Sequence, residues 1–381
     1  MSAYDVIVVG AGSMGMSAGF YLAKQNVKVL LIDKYDPPHV AGSHHGETRL
    51  IRHAYSGSPT YTAMALKADK LWQELEAVTN QRLIVRSGVL NIGAAESVNL
   101  GNKMKSTKAF GLKVDRLDAD EIHNRWPGVR LPESYVGLFE QEAGFLYSED
   151  CVRAYRQQAL AAGARLLVNT PITCINVWNS GVTVQTLDGT YHADQLILST
   201  GAWFSELDSV VQLPIRSVRK AVAWFKSDDT LYDSTRFPGF TFGAEYGGFY
   251  GFPSINGSGV KIGRHDAGQT WKPGLPFEPF GHYDQDENDL RQALEAFLPQ
   301  AAGQVVRGAV CKYECTPDEH FIIDHHPEHD HVFIAGGFSG HGFKFASVVG
   351  EILSDLTRKG TTEQDISPFA LSRFQEGDQN E

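Results

Sequence analysis

Three glycines and one aspartate near the start of the chain have the types and spacing that bind a dinucleotide. Gly10, Gly12 and Gly15 form the pattern G-x-G-x-x-G, and Asp33 follows further along the same stretch. The first glycine would allow a tight turn, the second would let the backbone approach a pyrophosphate, and the third would let a helix pack closely against a strand. A carboxylate placed like that of Asp33 can accept hydrogen bonds from a ribose. The alternative is a glycine-rich turn in an ordinary βαβ unit.

The elements around these residues are the ones that such a site requires. Residues 6–9 are an apolar run rich in β-branched side chains, which predicts a buried strand. A helix follows the glycines, and its exposed backbone amides would bind phosphate groups. Residues 27–32 predict a second strand that ends immediately before Asp33. This order of strand, turn, helix and strand favours dinucleotide binding over the ordinary βαβ unit.

A later stretch distinguishes between two kinds of dinucleotide. Residues 172–177, 182–186 and 191–198 predict a small β-meander, with Asp188-Gly189 as a hairpin turn. The meander leads into the sequence ILSTGAW at residues 197–203, an apolar strand that would continue a parallel sheet past a bound cofactor. Flavoproteins of the glutathione-reductase type often carry such a strand after a β-meander, whereas many nicotinamide dehydrogenases do not. The combination favours FAD over NAD.

Two other segments place cationic side chains where they could contact a ligand. Arg49 and Arg52 lie three residues apart, and their planar guanidinium groups could face phosphate, flavin or a substrate carboxylate. The alternative is a pair of solvated surface arginines. In the strand predicted over residues 259–264, Lys261 shares a face with His265 because side chains alternate. Lys261 would point either to solvent or into a cavity above the cofactor.

The C-terminal part of the chain repeats the arrangement of glycines before a helix. A glycine-rich loop at residues 336–342 precedes a helix predicted over residues 345–356. Bare backbone amides at that helix start would contact an anionic group, and a reduced flavin is a plausible one. In the strand before the loop, Cys311, Tyr313 and Cys315 lie on one face. This pattern alone does not choose between the two cysteines.

Composition excludes several classes of partner. The chain has 381 residues and a net charge of -11, which argues against nucleic acid or an anionic membrane as the main partner. No apolar run approaches the length of about 20 residues that spans a bilayer, and the first strand begins too early for a signal peptide to precede it. Four cysteines are too few for a disulfide scaffold, so a cytoplasmic protein is expected. His44 and His45 have no third ligand nearby, so no metal site is expected.

Five motifs together resemble the monomeric sarcosine oxidase family. They are GAGSMG with Asp33, SHHGETRLIRHAY, YGFPS with VKIGRH, C-x-Y-x-x-TPDEHFIID and GFSGHGFKF, and they span essentially the whole chain. The resemblance implies an oxidase that converts an N-methyl amino acid to the free amino acid, formaldehyde and hydrogen peroxide. It also implies that the substrate is N-methyl-L-tryptophan or a related N-methyl amino acid. Sarcosine and cyclic imino acids are the alternative substrates, and a dinucleotide-binding protein without turnover is the remote alternative.

The resemblance also implies an α/β fold, α+β overall, with a glutathione-reductase-type FAD-binding Rossmann domain and a second domain built on an antiparallel sheet. Residues 1–82, 145–218 and 310–381 are expected to form the discontinuous FAD-binding domain. Residues 83–144 and 219–309 are expected to form the substrate domain, because short aromatic and glycine-rich strands follow residue 218. The protein is expected to be a monomer whose partners are the small-molecule substrate and molecular oxygen.

Site residues follow from the resemblance position by position. Arg52 and Lys344 would bind the substrate carboxylate, Lys261 would stabilise the negative charge that develops when oxygen is reduced, and Arg49 would support the negative charge of reduced flavin. The family's cysteine at the first position of C-x-Y-x-x-TPDEH corresponds to Cys311, which would carry FAD as a thioether to the flavin 8α carbon. That thiol would need cationic neighbours that favour ionisation. The implied roles are catalytic for Lys261, Arg49, His265 and Tyr250, substrate-binding for Arg52, Lys344 and Tyr313, and cofactor-binding for Gly10, Gly12, Gly15, Asp33, Ser43, Cys311, Gly340 and Lys344.

Overall fold

The computed structural model describes residues 4–374. The helices are α1 Ser13–Ala23, α2 Pro59–Thr79, α3 Val98–Phe110, α4 Ala119–Arg125, α5 Ser148–Ala161, α6 Asp229–Tyr232, α7 Gln285–Phe297 and α8 Ala346–Lys359. The strands are β1 Tyr4–Val9, β2 Val29–Ile32, β3 Thr48–Ile51, β4 Ile84–Val85, β5 Val89–Ala94, β6 Val114–Leu117, β7 Tyr135–Glu140, β8 Gly144–Tyr147, β9 Arg165–Leu167, β10 Ile172–Trp178, β11 Gly181–Thr186, β12 Gly189–Leu198, β13 Arg216–Phe225, β14 Gly239–Ala244, β15 Gly247–Phe252, β16 Val260–Arg264, β17 Gln269–Thr270, β18 Val305–Cys315, β19 Ile322–His326 and β20 His329–Gly336.

The first sheet is organised around β1, as its apolar sequence predicts. Strand β1 pairs in parallel with β2 on one side and with β12 on the other, so Val8 lies opposite both Leu31 and Ile197. The meander of β10, β11 and β12 extends the sheet, and β20 pairs in parallel with β12. The strand that ends in ILSTGAW therefore lies beside the first strand of the nucleotide motif, which confirms the order inferred from the sequence.

Helix α8 brings the end of the chain back to this first sheet. It packs against α1 so closely that a Cβ atom on Gly350 would lie 2.2 Å from the Ser17 hydroxyl. Its inner face is mostly apolar, with Val348, Ile352 and Leu353 completely buried. The glycine-rich loop before α8 is thereby held next to the glycine turn before α1, although more than 300 residues separate them in the sequence.

The second sheet is mostly antiparallel, in the order β17-β13-β16-β15-β14-β5-β7-β6, with β18 on the other side of β13. Strands β14 and β5 form its parallel pair. A small third sheet, β3-β8-β4, carries the segment that contains Arg49. Within residues 4–374 no helix combines the length and the apolar character needed to cross a bilayer.

Two of the expected domain boundaries fall inside strands. Strand β13 spans the boundary after residue 218, and β18 spans the boundary before residue 310. The two strands pair with each other in an antiparallel register that shifts between Trp224 and Phe225, and Lys220 lies opposite Cys311. Strand β13 also pairs with β16 and β17, so both strands are part of the second sheet. The two-domain division, with boundaries after residue 218 and before residue 310, stays a proposal.

Acidic side chains stabilise the starts of two helices. Asp118 caps α4, because it accepts the Glu121 amide while the Glu121 side chain accepts the Asp118 amide. Helix α5 begins at Ser148, and Asp150 lies in its first turn. A carboxylate in that turn interacts favourably with the positive end of the helix dipole.

Candidate functional site

One cavity of about 760 Å³ extends between the two large sheets. It begins at the glycine turn after β1, passes the loop before β3, and ends beside β18 and the loop before α8. Lys261 and Gly15 do not line it. The expected site residues that do line it are Gly10, Gly12, Asp33, Ser43, Arg49, Arg52, Tyr250, His265, Cys311, Tyr313, Gly340 and Lys344.

The glycine turn fits the three roles that the sequence assigns to it. A Cβ atom on Gly10 would lie 2.5 Å from the Ser199 carbonyl oxygen, and one on Gly15 would lie 1.9 Å from the Gly10 carbonyl oxygen. Both positions therefore exclude a side chain for reasons of backbone packing. A Cβ on Gly12 would meet only the His44 ring, at 3.5 Å, because Gly12 faces the cavity. This open backbone is what a pyrophosphate group needs for close approach.

Asp33 connects the glycine turn to the end of β2. Its carboxylate accepts the backbone amides of Ala11 and Tyr35, each at 2.8 Å. The side chain is largely buried yet reaches the cavity wall. A carboxylate has about four lone-pair positions, so Asp33 can accept further hydrogen bonds from ribose hydroxyls. The residues at this end of the cavity fit the adenosine half of a dinucleotide.

The loop before β3 is shaped by Arg49. Its guanidinium group donates to the carbonyl oxygens of Ser43 and His45, each at 2.7 Å. The Ser43 hydroxyl donates to the Lys312 carbonyl oxygen at 2.7 Å, which ties the loop to β18. Burial lowers the pKa of His45 to about 4, and the nearby Arg49 adds to this, so the ring is neutral at pH 7. Within residues 4–374 no three His, Cys, Asp or Glu side chains are grouped to hold a metal ion.

Lys261 occupies neither of the two positions considered from the sequence. It lies behind the loop rather than in solvent or on the cavity wall, and its side chain is 2 % exposed. Its ammonium group donates to the backbone oxygens of Gly46 and Thr48, and it lies 4.6 Å from the centre of the Phe252 ring. Burial, reinforced by the nearby Arg49, holds the pKa of Lys261 well below its usual value.

The structure separates the two cysteines that the sequence pattern left equivalent. Cys311 and Tyr313 are buried on one face of β18 with Val218, and Cys311 lines the cavity whereas Cys315 does not. Burial raises the pKa of Cys311, although Arg49 and Lys261 act in the opposite direction. The expected cationic neighbours are present, but in the protein alone burial has the larger effect. All four cysteines are free thiols.

The remaining aromatic and loop residues surround this thiol. A Cβ atom on Gly340 would lie 1.9 Å from the Tyr313 ring, so the loop before α8 rests directly on that tyrosine. The His265 ring lies 5.6 Å from the Tyr313 ring, and burial together with the positive charges of Lys220 and Arg52 lowers its pKa to about 4. Burial raises the pKa of Tyr250 to about 12. At pH 7 this wall therefore presents a neutral imidazole and protonated phenols.

Arg52 and Lys344, the cationic pair of this site, both contact the side chain of Tyr55. The Lys344 ammonium group donates to the Tyr55 hydroxyl at 2.7 Å and to the His341 carbonyl oxygen at 2.9 Å. The Arg52 guanidinium group lies 4.7 Å from the centre of the Tyr55 ring. Burial and the positive charge of Arg52 lower the pKa of Lys344 well below its usual value. An anionic ligand here would relieve the repulsion between the two cations.

A buried histidine network that the sequence analysis did not identify lies beside Arg52. The two ring nitrogens of His53 lie 2.7 Å from the Asp69 carboxylate and 2.8 Å from the Glu140 carboxylate. Burial by itself would lower the pKa of His53, but these two carboxylates outweigh it and raise the pKa to about 9. Because three residues distant in the sequence form this network, no local pattern could have indicated it.

We expect a His53→Gln variant to lose about 3 kcal/mol of unfolding free energy below pH 6.5, since each pH unit between the ordinary pKa of 6.5 and the folded value of about 9 is worth about 1.4 kcal/mol. The folded pKa of about 9 lies above the ordinary value of 6.5, so the stabilisation is complete below 6.5 and is lost as the pH rises through 9. Urea unfolding at several pH values measures the difference between wild type and variant. The matched control is His123→Gln, at an exposed histidine. A His53 difference that does not change with pH contradicts the expectation.

The charged residues that line the cavity and were missed include Lys103 and Glu314. Lys103 lies on the buried side of α3 with Leu100 and Thr107, a helical spacing that could have drawn attention to it. Glu314 lies on β18, and one of its carboxylate oxygens is buried without a hydrogen-bond partner within residues 4–374. Burial raises the pKa of Glu314 to about 8. Both positions depend on strand pairing and helix docking rather than on local sequence.

Comparisons with known proteins agree with this geometry. The model of the family described as FAD dependent oxidoreductase matches residues 5–356. The chain is 50% identical over 374 residues to the monomeric sarcosine oxidase of Bacillus sp. (strain B-0618), covering 97% of this chain and 96% of that relative. It is 43% identical over 372 residues to the N-methyl-L-tryptophan oxidase of Salmonella typhimurium, covering 97% of this chain and 99% of the relative. The solved structure of NikD, an unusual amino acid oxidase, has the same fold with a TM-score of 0.85 at 24% identity, covering 97% and 98% of the two chains. The chain therefore belongs to the family of FAD dependent oxidoreductases that includes the monomeric sarcosine oxidases.

Proposed function

We propose that the protein is an oxidase that removes the methyl group of N-methyl amino acids as formaldehyde, with release of the free amino acid and hydrogen peroxide. The observation that carries the proposal is the single cavity that joins the dinucleotide end, at Gly12 and Asp33, to the cationic pair Arg52 and Lys344. The relatives named sarcosine oxidase and N-methyl-L-tryptophan oxidase support the same reaction.

The protein would hold FAD from both ends of the chain. The backbone around Gly12 and the start of α1 would bind the pyrophosphate, and Asp33 would bind the adenosine ribose. Ser43 and Gly340 line the cavity nearer the reaction site, and Cys311 would form a thioether to the flavin. When bound, FAD supplies the two-electron chemistry that oxidises the C–N bond and returns the electrons to oxygen.

The cationic pair would position the substrate. Arg52 and Lys344 would bind its carboxylate through charge-assisted hydrogen bonds, which places the N-methyl group on the side of the cavity where Tyr250 and Tyr313 lie. Fixing the reacting groups in this way accounts for a large share of such catalysis. The positive charges also disfavour a protonated substrate amine. The neutral His265 ring can accept a hydrogen bond from that amine, which must be uncharged to be oxidised.

Lys261 and Arg49 would provide positive charge for the oxygen reaction. Lys261 is held in one position by the backbone oxygens of Gly46 and Thr48. Burial disfavours the charged form of Lys261 in the protein alone, whereas negative charge on the reduced cofactor would favour it. A cation fixed in this position would then stabilise the negative charge that develops when oxygen is reduced. Arg49, which flanks the same loop, would support negative charge on the reduced cofactor. Both residues would act without contacting the amino acid substrate.

We expect a Lys261→Met variant to react with oxygen about 100-fold more slowly after reduction, because removing one fixed stabilising group typically costs this factor. Reduction of the enzyme by substrate in the absence of oxygen should slow by less than about tenfold, since this step does not use the charge. Stopped-flow measurement of the two half-reactions tests the expectation. The exposed Lys226, changed to Met, is the matched control. Equal slowing of both half-reactions would remove the role assigned to Lys261.

The substrate itself is tested by turnover. Formation of peroxide and formaldehyde is measured with sarcosine, N-methyl-L-tryptophan and proline, the last representing cyclic imino acids. The expectation from the sequence was N-methyl-L-tryptophan, whereas identity is higher to the sarcosine oxidase than to the tryptophan enzyme, so overall likeness no longer separates the two substrates. A dinucleotide-binding protein without turnover would bind FAD and produce no peroxide from any N-methyl amino acid.

The same proposal includes a monomer in the cytoplasm that uses molecular oxygen as its second substrate. The name of the sarcosine oxidase relatives supports the monomer, and the small number of cysteines supports a reducing compartment. Sedimentation equilibrium gives the oligomeric state directly. Oxygen consumption equal to peroxide formation tests the role of oxygen.

A further inference from the structure

A buried lysine of α3 lies on the cavity wall and has no role in the reaction described above. Lys103, in the middle of α3, is 5 % exposed and lines the cavity. Its neighbours on this wall include Leu100 and Phe242. A lysine ammonium group is almost never buried unless it is paired with an acceptor, so the partners of Lys103 decide its function.

The protein provides Lys103 with an uncharged hydrogen-bond partner and leaves some of its donors unused. Within residues 4–374 the Lys103 ammonium group has one hydrogen bond, at 3.0 Å to the side-chain oxygen of Asn91. The same oxygen also accepts the Thr241 hydroxyl at 3.0 Å. Asn91 is buried in β5 and does not line the cavity, so it anchors Lys103 from behind. An ammonium group has three donors, and two remain for a group inside the cavity.

The surroundings of Lys103 compensate its positive charge poorly. Burial lowers the pKa of Lys103 well below its usual value, and Arg52 adds to the effect, while Glu140 acts against it. Glu140 is already paired with His53. Arg52 therefore disfavours the charged form of Lys103 as it does that of Lys344, and an anion bound at Lys103 would restore the charge. One substrate carboxylate between Arg52 and Lys344 would leave Lys103 without an anion.

We propose that Lys103 binds a second carboxylate, carried by the side chain of the substrate, so that the preferred substrates are N-methyl amino acids with an acidic side chain. The proposal rests on the proposed function and names its substrate class. A carboxylate would occupy the two free donors and favour the charged form of the lysine. Asn91 and Thr241 hold the lysine in place for this contact. A bare sarcosine, or a substrate with an indole side chain, would leave the donors unused.

Turnover with matched substrates tests the proposal. Because the length of the side chain is open, kcat/KM is measured for N-methyl-L-aspartate and N-methyl-L-glutamate, for their neutral amides N-methyl-L-asparagine and N-methyl-L-glutamine, and for sarcosine as a reference without a side chain. We expect at least one acidic substrate to exceed its amide by about tenfold or more, because a carboxylate forms an ion pair with the lysine and the neutral amide does not. In Lys103→Met the ratio of acidic substrate to sarcosine should fall at least about tenfold. Lys105→Met, at an exposed position of the same helix, is the control and should keep the ratio.

Binding without turnover separates this inference from the proposed function. Calorimetry compares glutarate with pentanoate, which has the same chain length but a methyl group in place of one carboxylate. We expect wild type to bind glutarate at least about tenfold more tightly and Lys103→Met to lose this preference.

If sarcosine is oxidised but neither acidic substrates nor glutarate are preferred, the inference is overturned and the proposed function stands. If glutarate is preferred but no N-methyl amino acid is oxidised, the proposed function fails while the acidic subsite remains. If Lys103→Met still prefers glutarate over pentanoate, the subsite belongs to other residues and the inference is overturned. If that variant does not fold, the comparisons made with wild type still decide.

Discussion

A Cys311→Ser variant will release all of its flavin when the protein is precipitated with acid, whereas wild type will give a yellow pellet. The expected effect is complete, because a hydroxyl group cannot replace the thiolate in forming the proposed thioether. The measurement is the flavin absorbance of the washed, denatured protein, supported by its intact mass. The variant is purified in the presence of added FAD, so that loss of the covalent bond is not confused with loss of binding.

The position of Cys311 is the physical reason for this expectation. The side chain of Cys311 lines the cavity. Cys315, four residues further along the same strand, does not. Burial raises the pKa of the Cys311 thiol, and the positive charges of Arg49 and Lys261 act against that rise. Those cations would stabilise the thiolate once it forms, so their removal should slow attachment of the flavin more than it weakens binding.

The control for this experiment is Cys315→Ser, which should retain the yellow pellet. A colourless wild-type pellet would exclude any covalent flavin. Loss of colour in Cys315→Ser, with colour retained in Cys311→Ser, would show that the motif was assigned to the wrong cysteine. The assay therefore distinguishes the two thiols that the alternation of β18 places on one face.

A Lys344→Met variant should lose about 100- to 1000-fold in kcat/KM for any N-methyl amino acid, which corresponds to about 3–4 kcal/mol. Removing one partner of a buried charged pair costs about 2–5 kcal/mol, and Met preserves most of the volume of the side chain. The loss should appear in the affinity for carboxylate ligands as well, because Lys344 and Arg52 would contact the same group. Steady-state kinetics and inhibition by simple carboxylates measure the two effects.

Lys359→Met provides the matched control, since this lysine lies at the exposed end of α8, the helix that follows Lys344, in an ion pair with Asp355. Unchanged affinity for carboxylates in Lys344→Met, together with an altered flavin spectrum, would assign Lys344 to the cofactor instead. That alternative is a real one, because the Lys344 ammonium group is held by Tyr55 and His341 within the same cavity that would contain FAD.

The nucleotide end of the site follows from sequence patterns that act over short distances. Gly10 and Gly15 are required by the close approach of strand, turn and helix, and Gly12 by access to the cavity. Asp33 ends a strand whose apolar character is evident from its composition, and its backbone partners lie in the adjacent turn and loop. Each of these constraints operates within one βαβ unit, so the local sequence contains the information needed to predict it.

The far end of the site depends on which distant segments lie together. Alternation along β18 places Cys311 and Cys315 on one face, but only the position of the sheet beside the cavity separates them. The sequence predicted that the Lys261 side chain points either to solvent or into the cavity. In the structure it instead donates to backbone oxygens of a segment more than 200 residues earlier in the chain. Burial and pairing with distant groups determine the charge state and direction of such side chains, and neither is encoded in local spacing.

Local sequence patterns were sufficient to predict the cofactor class, the faces of the strands and the family. The packing of distant segments brings a neutral His265, the cationic pair of Arg52 and Lys344, and the partly paired Lys103 to one cavity. The physical reason is that periodicity sets which side chains share a face, while desolvation and Coulomb interactions depend on every element packed around that face. The chemistry of this site therefore depends on desolvation and Coulomb interactions.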